Sequence, residues 1–111
     1  MNLKFNNIEQ KLVVQFIGEL DHHSAEEVRI KIDDKIDREK PQCIIMDFSK
    51  VSFMDSSGIG VVIGRYKKML LKNGHLYITN LNPTVRRVFE LSGMFKIIKT
   101  FDTVDEAVSE L

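Results

Sequence analysis

The stretch Asp55-Ser56-Ser57-Gly58-Ile59-Gly60 decides how the rest of the chain is organised. The apolar run of residues 43–46 is short enough for a buried strand, and residues 59–71 have helical periodicity, so the stretch is predicted to join a strand to a helix. A helix start offers unpaired backbone N–H groups and the positive end of the helix dipole, which suit a phosphate or a phosphorylated side chain. The alternative is that these Asp and Ser residues are ordinary N-caps, worth about 1 kcal/mol. Ser57 is predicted to serve the helix as its N-cap or as a first-turn residue.

Outward from this junction, strands are predicted to alternate with helices. The strands are predicted over residues 3–6, 12–17, 42–48, 76–78 and 97–98, and the helices over 25–38, 59–71, 83–92 and 103–111. A polar turn over residues 7–11 favours an antiparallel hairpin between the first two strands, and Gly18 is predicted to end the second. The unbroken apolar core of the third strand favours burial on both faces.

Caps and apolar spacing refine the helices. Capping boxes are predicted at Ser24 with Glu27 and at Thr103 with Glu106, and an N-cap at Asn82 before Pro83. One apolar stripe of the second helix is predicted to face the sheet: Ile59, Val62, Ile63, Tyr66, Met69 and Leu70. The terminal helix is predicted to pack through Val104, Ala107, Val108 and Leu111.

The resulting order, ββαβαβαβα, predicts an α/β fold with a mixed, largely parallel sheet of about five strands and about four helices. Partners and ligands of such sheets meet the carboxyl ends of the strands. Two loops are predicted there, one over residues 18–23 and one over residues 53–57. We therefore expect these two loops, which carry Asp21 and Ser56, to be neighbours.

Composition narrows the class of protein. The length suits a single domain over residues 1–111, and 43% hydrophobic with 29% charged residues is ordinary for a soluble globular chain. No apolar run approaches the roughly 20 residues of a membrane span, and no secretory signal is visible, so a cytoplasmic location is expected. The lone Cys43 is predicted to be a buried thiol.

Charge argues against a nucleic-acid partner. Sixteen basic and sixteen acidic side chains cancel, whereas affinity for nucleic acid rests on a surplus of Lys and Arg. Residues 1–55 carry 8 basic and 11 acidic side chains, and residues 56–111 carry 8 and 5. This modest asymmetry could orient a partner, but solvated surface charge is the better default interpretation.

Catalysis is disfavoured by the motifs. Ser56 lacks the glycine two positions earlier that a nucleophile elbow requires, and His75 is predicted at the opposite end of the sheet. His22 and His23 are close enough to keep a hydrolase conceivable, but two histidines in a loop before a helix are more often only polar loop residues. A metal site on Asp21, His22 and His23 lacks a second cluster of ligands, and no cofactor is expected.

Two glycines in the second helix need a separate explanation. Glycine destabilises a helix interior by about 0.8–1.0 kcal/mol relative to alanine, yet Gly60 and Gly64 lie one turn apart, off the predicted stripe. They could allow close packing of another helix of the domain, or they could keep a flat path for a partner's backbone. With Val61 and Leu71 they are predicted to form a small, apolar outer face.

These segments resemble a known family. Residues 18–23 (GELDHH), 53–67 (FMDSSGIGVVIGRYK) and 91–98 (LSGMFKII) closely resemble the STAS-domain anti-sigma factor antagonists, above all the sporulation members that antagonise anti-sigma F. The resemblance spans the whole chain and implies the STAS fold. The phenylalanine, methionine and Asp-Ser-Ser-Gly context is its most specific part. Ile59 stands where the family commonly has leucine, which keeps the apolar contact.

The resemblance implies a function that is not enzymatic. Members bind an anti-sigma factor that is also an ATP-dependent serine kinase, and so free the sigma factor. The kinase switches them off by phosphorylating the first serine after the aspartate, here Ser56, and a dedicated serine phosphatase restores the binding form. The expected partner-binding residues are Asp21, Asp55, Ser56, Ser57, Gly58, Gly60, Val61 and Gly64. The alternative is a STAS-type sensor or scaffold domain that binds a nucleotide or another small ligand near Asp21 and Ser56.

Overall fold

The computed structural model describes residues 1–110. Its strands are β1 (Asn2–Ile8), β2 (Lys11–Leu20), β3 (Cys43–Met54), β4 (His75–Thr79) and β5 (Thr100–Phe101). Its helices are α1 (Ala25–Glu39), α2 (Ser56–Leu71), α3 (Pro83–Ser92) and α4 (Val104–Ser109), with a short 3-10 turn over Met94–Lys96. The predicted element order is confirmed. The predicted packing of the last helix through Leu111 lies outside the described residues.

The strands form one sheet in the order β1-β2-β3-β4-β5. β1 and β2 are an antiparallel hairpin, and every later pair is parallel. Because each parallel crossover leads to the adjacent strand with the same handedness, the three crossover helices α1, α2 and α3 share one face of the sheet. The carboxyl ends of β2 and β3 consequently lie side by side.

Helices cover the two faces of the sheet unequally. Ile44, Met46 and Phe48 of β3 point into the larger core beneath α1, α2 and α3, where all three are fully buried. Cys43 and Ile45, which alternate with them, point into a smaller core that is closed by Ala107 of α4. The predicted burial of the third strand on both faces is thus confirmed, because alternate side chains enter different cores.

Two strands are longer than predicted. β3 continues from Phe48 to Met54, and there it pairs only with β2, because the pairing of β3 with β4 ends at Asp47. β2 does not end at Gly18 but runs on to Leu20. Gly18 takes a φ of 115°, which glycine adopts without strain, and a register shift beside it lets pairing with β3 continue.

The predicted last strand at residues 97–98 is wrong. The 3-10 turn ends there, the N–H of Ile98 donates to the carbonyl of Met94 at 2.9 Å, and the strand forms later, at Thr100–Phe101. Ile98 is buried by packing its side chain into the larger core, while Ile97 is exposed. The two adjacent isoleucines therefore indicated that one of them is buried, and they did not indicate that their backbone pairs in the sheet.

Caps at two helices agree with prediction. The side chain of Asn82 accepts from the N–H of Val85 at 2.9 Å, and Thr103 accepts from Glu106 at 3.2 Å. Gly93 ends α3 with a φ of 76°. The side chain of Ser24, by contrast, makes no cap hydrogen bond to α1, so the capping box predicted there is wrong.

The buried face of α2 is rotated from the predicted stripe. Val62 and Met69 are buried, and Ile59, Ile63 and Tyr66 pack against the core, but Leu70 is exposed. In its place the buried residues include Gly58, Val61 and Arg65. The cause is that α2 packs against α1 as well as against the sheet, which gives the helix a second contact surface.

Candidate functional site

A single residue, Asp55, separates β3 from α2. It has extended backbone, and its Oδ1 accepts from the N–H of Ser57 at 2.8 Å, so Asp55 is the N-cap of α2. Ser56 is therefore the first residue of the helix and Ser57 the second. Ser57 was predicted to be the cap or a first-turn residue, and only the second assignment is correct. The N–H of Ser57 is already satisfied by the Asp55 carboxylate.

Ser56 is exposed and lies on the side of α2 that faces α3. It forms the rim of a hollow of about 350 Å³ whose lining is mostly apolar and includes Ile59, Val88 and Leu91. Leu91 is 77% exposed, so an apolar side chain stands uncovered beside the hydroxyl. A partner that reaches Ser56 would meet this apolar surface at the same time.

Ser57 faces the other way. It lines a hollow of about 340 Å³ between α1 and α2, together with His22, Arg29 and Gly60 among others. Unlike Ser56, the Ser57 side chain is half-buried. The two adjacent serines thus present their hydroxyls to different sides of α2.

The turn after β2 is held by Asp21. Its Oδ1 accepts from the N–H of His23 at 2.9 Å and of Ser24 at 3.1 Å. The Ser24 hydroxyl donates to the carbonyl of Glu19 at 2.9 Å and accepts from the N–H of Asp21 at 3.1 Å, which explains why it does not cap α1. Desolvation opposes ionisation of Asp21, but the two backbone donors and the nearby histidines outweigh it and lower its pKa.

The two strand ends meet as expected. Leu20 pairs with Met54 at the last register position of β2 and β3, and the N–H of Asp55 donates to the carbonyl of Leu20 at 3.3 Å. The Asp21 turn and the Ser56 helix start are therefore joined directly. The prediction that these two segments are neighbours is confirmed.

The glycines of α2 fall into two groups. A Cβ atom at Gly60 or Gly64 would meet nothing within 4 Å, so packing of another helix against them within the described chain is excluded. A Cβ at Gly58 would lie 2.7 Å from Met54 Cγ. Gly58 is buried and Val61 is 3% exposed, so neither offers a partner appreciable surface. The small, apolar outer face predicted around Gly60 and Gly64 therefore does not include Val61.

A buried ion pair fixes α2 against α1. Arg65 is 7% exposed, and its Nε lies 2.9 Å from Asp33 Oδ1 of α1. Burial lowers the pKa of Arg65, although the Asp33 carboxylate opposes the shift. Lys68 adds a contact of 2.9 Å to Asp37. The sequence pattern does not reveal this pair, although Arg65 follows the buried Val61 by one helical turn.

The other possibilities raised by the sequence were a hydrolase, a metal site and a membrane span. His75 begins β4 and pairs with Cys43, so it lies at the opposite end of the sheet from Ser56, as expected. His22 shares a hollow with Ser57 and not with Ser56. Within residues 1–110, no group of three or more His, Cys, Asp or Glu side chains is arranged to hold a metal ion. In the same range, no helix has the length and apolar character needed to cross a bilayer.

Comparison with protein families gives one match over nearly the whole chain. The family model described as the STAS domain matches residues 2–107. The chain belongs to the STAS domain family. The family and the fold predicted from residues 18–23, 53–67 and 91–98 are therefore confirmed.

Within the STAS family, the chain is similar to several anti-sigma factor antagonists. The anti-sigma F factor antagonist of Paenibacillus polymyxa is 41% identical over 100 residues, which are 90% of this chain and 86% of the relative. The structure of the anti-sigma factor antagonist SpoIIAA in its unphosphorylated form matches with a TM-score of 0.84 at 36% identity, covering 96% of this chain and 93% of that one. SpoIIAA in its phosphorylated form, a Bacillus cell fate determinant, matches with a TM-score of 0.75 at 35% identity and covers 97% of each chain. These relatives are regulatory proteins rather than enzymes.

Proposed function

We propose that this STAS domain is a phosphorylation-switched anti-anti-sigma factor. In its unphosphorylated form it binds an anti-sigma factor that is also a serine kinase, and thereby releases a sporulation sigma factor. Phosphorylation of Ser56 inactivates it, and a serine phosphatase restores it. The observation that carries the proposal is the exposed Ser56 hydroxyl at the first position of α2, in a chain that is 41% identical to an anti-sigma F factor antagonist.

The partner surface combines the two strand ends. Asp21, Asp55, Ser56 and Ser57 surround the joint between β2 and β3, and Gly60 and Gly64 extend the surface along α2. Open space beside both glycines allows a partner's backbone to approach the helix closely. Gly58 and Val61 are buried, so they lie beneath this surface and support it without contacting the partner themselves.

Phosphoryl transfer to Ser56 needs an accessible hydroxyl that this chain holds in a fixed position. The Oγ attacks the γ-phosphorus of the ATP held by the kinase, the new O–P bond forms as the bond to the departing ADP oxygen breaks, and the hydroxyl proton leaves to a base of the kinase or to solvent. Exposure of Ser56 and the fixed helix start satisfy this requirement. No cofactor is needed, and the chain acts as a substrate rather than as an enzyme.

The switch works by local electrostatics. A phosphate on Ser56 adds about −1.5 to −2 charges at pH 7 beside the Asp55 carboxylate. The start of α2 tolerates that charge, because the helix dipole favours anions there. A closely fitting partner would have to desolvate the phosphate, and the apolar Ile59, Val88 and Leu91 beside it offer no compensating hydrogen bond. Binding is lost without any change of fold.

Three further features belong to the proposed function: the extent of the domain, its location in the cell and the classes of partner it lacks. The chain acts as a single STAS domain over residues 1–111, works in the cytoplasm where sigma factors act, and has neither a nucleic acid nor a membrane as its partner. A balanced formal charge, with sixteen basic and sixteen acidic side chains, supports the absence of a nucleic-acid partner.

An intact-mass measurement tests the proposal. The purified chain is incubated with ATP and the anti-sigma F factor of the same organism, and one added phosphate is expected, which Ser56→Ala abolishes and Ser57→Ala leaves in place. The unphosphorylated chain should form a complex with the kinase on size-exclusion chromatography, and the phosphorylated chain should not. No phosphate on the wild type would contradict the proposal. Binding of labelled ATP or GTP by the chain alone would favour the sensor alternative.

A further inference from the structure

The first turn of α2 rests on the ends of two strands through Gly58. A Cβ at this position would lie 2.7 Å from Met54 Cγ, 2.9 Å from Met54 Cε and 3.1 Å from Leu20 Cδ2. Real Cβ atoms essentially never show contacts shorter than 3.0 Å, so an added Cβ would require the Met54 side chain or the first turn of α2 to shift. Met54 and Leu20 are themselves buried, at 3% and 0% exposure, which leaves them little room to yield.

Two of these three residues directly precede the aspartates of the candidate site in the sequence. Leu20 immediately precedes Asp21, and Met54 immediately precedes Asp55. The two residues are paired in the sheet, the N–H of Asp55 donates to the Leu20 carbonyl, and the N–H of Gly58 donates to the Asp55 carbonyl at 3.0 Å. Any displacement at Gly58 therefore moves the residues on which the placement of Ser56 depends.

We propose that Gly58 is a positioning residue: its missing side chain seats the first turn of α2 on Leu20 and Met54, and this seat fixes the Ser56 hydroxyl relative to the Asp21 turn. The inference rests on the proposed function in so far as Ser56 is the phosphoacceptor. It assigns to Gly58 a role distinct from that of Gly60 and Gly64, beside which there is open space.

Gly58→Ala is the first test. Phosphorylation of Ser56 by the purified anti-sigma F factor of the same organism is followed over a range of concentrations of this chain. The rate at saturation should fall about 10-fold or more, because small misplacements of a reacting group reduce rates steeply. The concentration for half-saturation should change less, because Asp21, Gly60 and Gly64 remain in place to bind the kinase.

The double variant Met54→Ala/Gly58→Ala supplies the rescue. Removing the Met54 side chain beyond Cβ takes away both atoms closest to the new Cβ, so the first turn of α2 can return to its wild-type position against Leu20. Most of the lost rate should return, although the midpoint of thermal unfolding should fall below that of Gly58→Ala, since a buried side chain has been removed. Activity and stability then change in opposite directions, which a purely structural role for Gly58 does not allow.

Met69→Ala is the matched control for the loss of stability. Met69 is a fully buried methionine at the far end of α2, so the variant should lower the unfolding midpoint and leave the phosphorylation rate unchanged. A rate that follows the unfolding midpoint across these variants would overturn the proposal, as would a wild-type rate in Gly58→Ala. If Gly58→Ala does not fold, the double variant decides, since a folded double variant with a low rate also overturns it.

Amide exchange separates this inference from the proposed function. The N–H of Ser57, which is bonded to Asp55, should exchange faster in Gly58→Ala and return to the wild-type rate in the double variant, and no kinase is needed for the measurement. Wild-type exchange in Gly58→Ala would refute the seat even if Ser56 is phosphorylated. Conversely, wild-type protein that takes no phosphate while the exchange pattern is as expected would refute the proposed function alone.

Discussion

Ser56 and Ser57 are adjacent in sequence, but Ser56 faces a hollow toward α3 and Ser57 a hollow toward α1. Ser56 lies beside Val88 in the hollow toward α3, and Ser57 lies beside His22 in the hollow toward α1. A kinase that approaches over α3 reaches the first hydroxyl and not the second. In the proposed switch, the choice between the two serines therefore depends on where each lies on the first turn of the helix.

The first prediction is that phosphate is found on Ser56 alone. Peptide mapping of the phosphorylated chain should place it there, because Ser56 is exposed whereas the Ser57 side chain is half-buried. Ser56→Ala and Ser57→Ala form a matched pair that differs only in position. Phosphate on Ser57 in the wild type, or a loss of phosphorylation equal in the two variants, would contradict the assignment.

The second prediction concerns the cap of α2. Asp55→Ala should lower the free energy of unfolding by about 0.5–2 kcal/mol, because the N–H of Ser57 loses its acceptor. Asp55→Asn keeps an oxygen acceptor at the same place and should cost less. Urea denaturation of the three proteins measures the difference. Ser57→Ala, which removes no cap, should be closer to the wild type than Asp55→Ala, and the reverse order would show that the cap has been misassigned.

The third prediction separates the two roles of Asp21. Asp21→Ala removes the acceptor that holds the N–H groups of His23 and Ser24, whereas Asp21→Asn keeps an acceptor and removes the charge. Both variants should fold and both should bind the anti-sigma factor more weakly, if the kinase recognises the carboxylate. Titration calorimetry measures binding, and circular dichroism checks the fold.

Cross-linking provides the independent check on Asp21. The surface around Asp21 and Ser56 should carry the cross-links to the partner. Cross-links that map instead to α4, over Val104–Ser109, would place the partner on the other face of the sheet and contradict this assignment. Full binding by Asp21→Asn together with weak binding by Asp21→Ala would show that the turn matters and the charge does not.

Much of the site was predictable from the sequence because it depends on local rules. A strand followed by Asp-Ser-Ser-Gly and an apolar helix already indicates a junction, and the strand-end rule brings Asp21 to Ser56. The same local rules failed at Ser24, whose hydroxyl is bonded to the carbonyl of Glu19. Glu19 lies on the part of β2 beyond Gly18, which the sequence pattern did not predict to be a strand.

The remaining errors arise from contacts distant in sequence. The polar residues of β3 beyond Phe48 read as a loop, yet pairing with β2 makes them a strand. Likewise the apolar spacing of α2 favoured Leu70, whereas packing against α1 buries Arg65 with Asp33. Such pairing and packing depend on where other elements lie, so the local pattern could not specify them.

The fourth prediction concerns the buried thiol. Burial raises the pKa of Cys43 from 9.0 to about 12, and the side chain has no exposed surface. The native protein should therefore react very slowly with a thiol reagent at pH 9, and the unfolded protein rapidly. Since the raised pKa belongs to the folded state, its contribution to stability is complete below pH 9.0 and is lost as the pH rises toward about 12. Rapid labelling of the native protein would contradict this burial.

The fifth prediction concerns the open glycines. A Cβ atom at Gly60 or Gly64 would meet nothing within 4 Å, and replacing glycine in a helix interior by alanine stabilises the helix by about 0.8–1.0 kcal/mol. Gly60→Gln and Gly64→Gln should therefore keep or raise thermal stability, while the added side chain blocks the approach of the anti-sigma factor. Scanning calorimetry and titration calorimetry on the same samples measure the two effects.

Leu70→Gln is the matched control for these two variants. Leu70 lies on the same helix but outside the outer face predicted around Gly60 and Gly64, and it is 52% exposed, so this variant places the same amide side chain at the far end of α2, away from Ser56. It should bind the partner as the wild type does. If Gly60→Gln and Gly64→Gln instead lost stability by the roughly 1–3 kcal/mol typical of overpacking, the glycines would be structural. Partner binding would then have to rest on the surface around Asp21 and Ser56 alone.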